Sequence, residues 1–318
     1  MATQQPSPSQ SSNNPLRGIG LKVASVAIFV GMSAFIKSAG ELPAGQIVFF
    51  RSFFAIIPIL AMLAWRHELR TALHTKNPLS HIVRGTVGVT SMGLGFFALT
   101  RLPLPEAITL NYAQPLLVVV FSAVFLGEAI RFYRWSAVIV GLFGVVIISW
   151  PNLTLFAGGS EMESRQAVGV LAALIAASVS AVALLLVRRL VKTEKTATIV
   201  LWFSLTASAL ALLSLPFGWA PLTAWQATAL VSAGFCGGIA QILMTESYRN
   251  AEASTVAPFE YTSMLLAIAV GYLAFGDLPT LYTLIGGTIV IAAGIFIIWR
   301  ERALGLERGK ARKVAPPQ

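Results

Sequence analysis

Charge is scarce in this 318-residue chain: Asp, Glu, Lys and Arg make up only 11% of it. A soluble domain normally carries about 25%. With 56% hydrophobic residues and a mean hydropathy of +0.76, the composition fits a bilayer rather than water as solvent. Cysteine is nearly absent too. The single Cys236 lies in an apolar run, which excludes an intramolecular disulfide and leaves a small packing thiol. No Gly-x-x-x-x-Gly-Lys loop occurs, which argues against ATP-driven work by this chain alone. His67, His74 and His81 fall in or beside one connection with no acidic or thiol ligands at metal spacing. They read as solvated loop residues, and no metal or cofactor is expected. Their confinement there also excludes a Ser–His–Asp set. The net charge of +10 raises the question of nucleic acid, but the basic residues sit in short stretches between apolar runs. That pattern reads as membrane orientation, and no nucleic-acid partner is expected.

What is abundant is apolar run length. Crossing the hydrocarbon takes about 20 helical residues. Ten runs qualify, at roughly 17–38, 46–65, 81–101, 104–126, 133–150, 167–187, 197–216, 225–247, 253–275 and 279–299. Pro103, Pro105, Gly127, Gly276 and Pro279 punctuate their ends. With the N-terminus in the cytoplasm, the basic residues distribute unequally. Of the 23, Lys37, Arg101 and Arg165 fall on outer connections, Arg51 falls within a span, and the other 19 fall on the cytoplasmic side. The rule that cytoplasmic loops are positive therefore supports ten spans with both ends inside. Residues 1–15, rich in Ser, Gln, Pro and Asn, read as a disordered cytoplasmic tail, and 300–318 as a basic one. No cleavable signal peptide is read, because the first apolar run lies too far in. The expected location is the bacterial cytoplasmic (inner) membrane, as a multi-pass protein.

The chain also repeats itself. Shifted by 149 residues, Leu126-Gly127-Glu128 falls on Phe275-Gly276-Asp277, Asn111-Tyr112 on Glu260-Tyr261, and Trp150 on Trp299. The units are 16–150 and 166–299. Five spans per unit is an odd number, so the second unit enters from the opposite face. The expected fold is an all-α integral membrane protein of ten transmembrane helices in two inverted five-helix repeats. Such pairs place a substrate site between the halves, near the midplane.

Ionisable groups at membrane depth cost roughly 2.5–3.5 kcal/mol each on insertion scales, so they usually serve a cavity. Arg51 lies six residues into its span, about 9 Å deep, and Glu260 seven residues into its own, about 10 Å deep. Asn111 occupies the depth matching Glu260. Arg51, Asn111, Tyr112, Gln114, Glu260 and Tyr261 are thus the candidate substrate-path residues, with Glu260 a candidate proton carrier. The plainer alternative is an Arg51–Glu260 pair tying helices together. Pro115 and Pro258 remove the helical partners of the Asn111 and Ser254 carbonyls and mark kinks or hinges. Gly127-Glu128 and Gly276-Asp277 read as helix-end motifs. Gln241 and Glu246 are further residues within reach of the path. Phe50, Phe53 and Phe54 share one helix face, read chiefly as packing. Gly234 and Gly238 form a small-xxx-small face for close helix contact.

The run Glu106-Ala107-Ile108 through Asn111 and Pro115 to Phe125-Leu126-Gly127-Glu128 resembles the helix-four signature of the drug/metabolite transporter superfamily, EamA type. Ala257-Pro258-Phe259-Glu260-Tyr261 with Phe275-Gly276-Asp277 is similar to its helix-nine counterpart, with Asp277 where Glu is commoner. Phe50-Arg51-Ser52-Phe53 resembles the family's helix-two arginine. The resemblance covers about residues 16–299. It implies a carrier of a small molecule, monomeric or homodimeric. The Arg51 and Pro258-Glu260-Tyr261 pattern is similar to a branch with riboflavin and S-adenosylmethionine uptake transporters. Uptake of a vitamin-like compound such as riboflavin is the first expectation. S-adenosylmethionine uptake and export of amino acids or drugs stand beside it. A channel or an integral membrane enzyme are the readings from other classes; the short connections leave little room for an enzyme's polar site.

Overall fold

The computed structural model describes residues 15–75, 77–126, 132–153, 161–190, 193–250 and 256–314. All regular structure among them is helical: α1 Pro15–Ser38, α2 Ala44–Trp65, α3 Pro78–Leu99, α4 Leu104–Asn111, α5 Ala113–Leu126, α6 Phe132–Leu153, α7 Glu161–Leu190, α8 Thr196–Leu212, α9 Ala224–Asn250, α10 Thr262–Phe275 and α11 Leu281–Val314. Short 3-10 turns occupy Leu69–Thr71, Leu215–Phe217 and Ala257–Tyr261. In hydrocarbon every backbone polar group needs an internal partner, so long apolar runs become helices. Among the described residues, 8 helical runs are long and apolar enough to cross a membrane, counting α4 and α5 together. Two shorter apolar helices, Ala197–Leu212 and Phe259–Phe275, stand where the seventh and ninth spans are expected.

Local chemistry sets the breaks. Pro43 and Pro103, at φ −53°, precede α2 and α4. Gly276 ends α10 at φ +69°, a left-handed conformation that glycine adopts without strain. There the Asp277 N–H reaches the Gly271 carbonyl at 3.0 Å, closing the last turn. The expected partner motif, Gly127-Glu128, lies outside the described residues, as do residues 1–14.

Polarity is distributed opposite to that of a soluble protein. Phe143, Leu265 and Leu273 face outward, more than 60% exposed, while Lys22 and His81 are 1% exposed inside. Large apolar side chains outside and charged groups inside are what a lipid solvent selects. Trp65, Trp150 and Trp225 are exposed at helix ends, and Trp299 where the apolar stretch of α11 stops, positions where interfacial tryptophans sit.

Packing follows the repeat. α5 and α10 begin 149 residues apart and end 149 apart, and so do the starts of α6 and α11. α1 lies along α9, and its repeat mate α7 lies along α3, the mate of α9. α2 packs on α9 as α8 packs on α3, and α5 on α7 as α10 on α1. The pairs α2·α8 and α6·α11 map onto themselves. The core is therefore shared between the halves. Small residues permit it: a methyl on Gly234 would lie 2.9 Å from the Phe50 carbonyl oxygen, and one on Gly238 2.7 Å from that of Ala55. This is the close α2–α9 approach expected of the Gly234–Gly238 face.

Candidate functional site

Two interrupted elements meet inside the bundle. α4 stops at Asn111, the chain turns through Tyr112, and α5 resumes with Pro115 in its first turn. Pro115 brings no N–H to the Asn111 carbonyl, so the ladder is open there. In the second repeat the 3-10 turn carrying Pro258 plays the same part before α10. Ser263 donates its hydroxyl proton to the Glu260 carbonyl at 2.7 Å. The buried Tyr112 hydroxyl, 2.5 Å from Ser263 Oγ, is therefore the donor in that second bond. The Tyr112 and Tyr261 rings meet edge to face, with centroids 5.2 Å apart. Tyr261 in turn presses its hydroxyl against Gly294 of α11. The repeat-related tyrosines thus join the halves. Asn111 is exposed at the break and Gln114 half-buried one turn on.

Glu260 pairs with Lys22 of α1. The lysine is 1% exposed and the carboxylate 49%. An Arg51–Glu260 pair is not formed. The charge pattern of the sequence puts Lys22 and Arg84 among the orienting residues on the cytoplasmic side; in the structure Lys22 is buried within α1 and Arg84 lies inside α3.

Arg51 is 7% exposed and points toward α9. A methyl at Gly237 would stand 3.1 Å from its Nε, so glycine leaves the guanidinium its room. Arg84 lays its guanidinium 4.0 Å above the Phe203 ring of α8. Among the described residues neither arginine has an ion-pair partner. Arg51 Nε and Arg84 Nε and Nη1 are buried without a hydrogen bond. His81, read from sequence as a loop residue, sits in α3 and is buried. It stacks on Trp202 with centroids 5.5 Å apart, and its Nε2 lies 3.9 Å from the Glu194 carboxylate.

A cavity of about 360 Å³ opens at the end of the bundle where α2 and α9 finish and α8 begins. Ile59, Val200 and Gln241 line its inner part, and Arg66, Glu68, Glu194, Lys195 and Glu246 its charged mouth. Arg66 and Glu246 pair there at 2.7 Å. Phe203 lies three residues beyond Val200 and Gly237 four before Gln241, so both arginines' packing partners sit about one helical turn, roughly 5 Å, beyond the cavity floor.

The opposite end is laced shut. Lys37, closing α1, donates to the Leu102 carbonyl at 2.6 Å and lies 3.2 Å from the Asp277 carboxylate. Asp277 also accepts the Leu104 N–H at 3.0 Å. Asp277 therefore caps α4 across the repeat boundary. Glu41 reaches Arg165 at 3.3 Å and Arg101 at 3.9 Å. Gln46 exchanges two hydrogen bonds with the Ala220 backbone, at 2.9 and 3.1 Å. The Phe50 and Phe54 rings stack with centroids 5.9 Å apart, and Phe54 meets Phe235 of α9, which is packing between helices.

Apolar helices around a charged interior, open at one end and latched at the other, define a multi-pass membrane protein of the transporter class. The chain belongs to the EamA-like transporter family, whose model matches twice, over residues 16–150 and 167–300. It is 30% identical over 287 residues to the pseudopaline exporter CntI of Pseudomonas aeruginosa (strain UCBPP-PA14), covering 87% of this chain and 94% of that protein. It is 25% identical over 257 residues to the S-adenosylmethionine uptake transporter of Rickettsia bellii, covering 81% and 84%. Over 231 residues it is 27% identical to the riboflavin transporter of Rhizobium johnstonii, covering 72% and 73%. A solved crystal structure superimposes with a TM-score of 0.63 at 21% identity, covering 90% of this chain and 98% of that one, which marks a shared fold. The family and these relatives are transporters, not enzymes.

Proposed function

We propose that this protein is a secondary carrier that moves a small organic metabolite across the cytoplasmic membrane by alternating access between two inverted five-helix halves. The observation that carries this reading is the charged interior. Arg51, Arg84 and Lys22 stand inside an apolar bundle, Lys22 paired with the half-exposed Glu260, next to a cavity lined by helices from both halves. Buried charge at such cost is kept where a solute passes. With the N-terminus in the cytoplasm, the cavity faces inward and the Lys37–Asp277 latch closes the outer face. The broken ladders near Pro115 and Pro258 supply the hinges. Arg51, Tyr112, Gln114, Asn111, Glu260 and Tyr261 are the proposed path residues, with Glu260 the candidate carrier of a coupling proton.

The relatives' names set the substrate panel: riboflavin, S-adenosylmethionine and a pseudopaline-type export substrate. Riboflavin uptake is the reading reached from the sequence. Similarity to an exporter favours testing the reverse direction with equal weight. The experiment is transport of the labelled panel, with amino acids added, in cells and in inside-out vesicles. A saturable flux lost in Arg51→Ala and Glu260→Gln is expected. Ohmic current in a planar bilayer without saturable flux would replace the carrier with a channel.

A further inference from the structure

The two arginines define the chemistry of what the path receives. Arg51, from α2, and Arg84, from α3, both belong to the first repeat. Their neighbours, Gly237 of α9 and Phe203 of α8, belong to the second. Arg51 is more than nine-tenths buried, and its Nε has no hydrogen-bond partner. Both arginines hold buried guanidinium nitrogens without a counter-ion, and their packing partners on α9 and α8 sit about one turn beyond an open cavity, so an anion entering from it would complete them. No carboxylate among the described residues does so: Glu260 is held by Lys22, Glu246 by Arg66, and Asp277 by Lys37. Glu194 reaches the histidine side of the cluster, at His81 and Thr75.

We propose that Arg51 and Arg84 together bind an oxyanion, the carboxylate or phosphate group of the transported compound. This rests on the carrier reading above and deepens it. The planar guanidinium is suited to carboxylate and phosphate, which it engages through paired N–H donors. Phe203 beneath Arg84 holds the plane of that guanidinium. Gly237 keeps the wall of α9 bare opposite Arg51. Within the transport panel, compounds bearing a carboxylate, such as S-adenosylmethionine and amino acids, then rank above riboflavin, which has none.

Inorganic sulfate is the minimal probe. The full chain, purified in detergent and again in phosphatidylcholine nanodiscs, is melted with sulfate titrated at constant ionic strength. The expected result is a saturable rise in the melting midpoint at millimolar sulfate, in both settings. The rise is lost in Arg51→Gln, Arg84→Gln and Gly237→Leu, and kept in Arg70→Gln, an exposed charge on a surface turn. Removing an unpaired buried cation leaves the sulfate-free midpoint of the Arg51 and Arg84 variants at or above that of the parent, which a structural salt-bridge arginine would not do. Arg51→Lys retains charge without the fork, so the sulfate needed for half-response rises about tenfold. No saturable response in the parent, or an equal response in the Gln variants, overturns the site. A response in detergent that vanishes in nanodiscs assigns the arginines to a lipid phosphate and overturns the substrate reading. The binding readout stands apart from transport: a sulfate response with nothing carried would remove the carrier and leave the site.

Discussion

The Lys22–Glu260 pair carries an uneven burden. The ammonium is fully enclosed by α1 and its neighbours, while the carboxylate is half in the open. Neutralising Glu260 therefore harms more than the lost attraction, because the carboxylate's charge offsets the burial of the ammonium. Removing one partner of a fully buried pair costs about 3–5 kcal/mol, and partial exposure of the carboxylate lowers this to about 1–3 kcal/mol. Glu260→Gln is expected to lower unfolding free energy by that amount. Lys22→Met with Glu260→Gln recovers most of the loss, since an apolar side chain suits the site. Proton-driven transport stays absent in the double variant if Glu260 is the carrier of the proton. Full recovery of transport together with stability would reduce the pair to a tether. At the same scale, Tyr112→Phe removes the donor to Ser263 and costs about 1 kcal/mol, read as a shift in thermal unfolding.

Elements in this bundle are positioned by what is missing from them as much as by what they contain. α2 and α9 touch because Gly234 and Gly238 lack side chains against Phe50 and Ala55. Gly238→Leu forces the helices apart and is expected to destabilise by about 1–3 kcal/mol. Pro115 acts in the other direction. Pro115→Ala restores the N–H that the Asn111 carbonyl lacks and straightens the α4–α5 run. A gain of about 1 kcal/mol in stability is expected, with a several-fold loss of transport rate if the break is a hinge. Unchanged transport from a more stable Pro115→Ala protein would make the break a static kink. The sequence made these elements readable because apolar run length and small-residue spacing are properties of one helix. Helix ends were less legible. A shift of about three residues at the start of α3 turns Arg84 and His81 from loop groups into interior ones, and hydropathy does not resolve that difference. Partner choice was not legible either: whether Glu260 meets Arg51 or Lys22 depends on how α1 and α2 lie against the second repeat.

At the scale of the whole molecule, the 149-residue repeat explains why the main helix contacts come in related pairs, α1·α9 with α3·α7 and α2·α9 with α3·α8, or map onto themselves, as α2·α8 and α6·α11 do. The asymmetry between the two ends is then the informative feature. The halves are alike in path, yet one end holds a cavity and the other the Lys37–Asp277–Leu104 knot and the Glu41 bridges. In a carrier these are two faces of one equilibrium, and weakening the knot must shift it. A single cysteine at Gln241, in a Cys236→Ser background, reports on the cavity floor. Its reaction with a membrane-impermeant maleimide, followed in right-side-out cells and in inside-out vesicles, is the decisive measurement. Alternating access predicts labelling from the cytoplasmic face in the parent, and a trade when Asp277→Asn is added: slower from inside, faster from outside. Labelling from one face only, unchanged by Asp277→Asn, would contradict it.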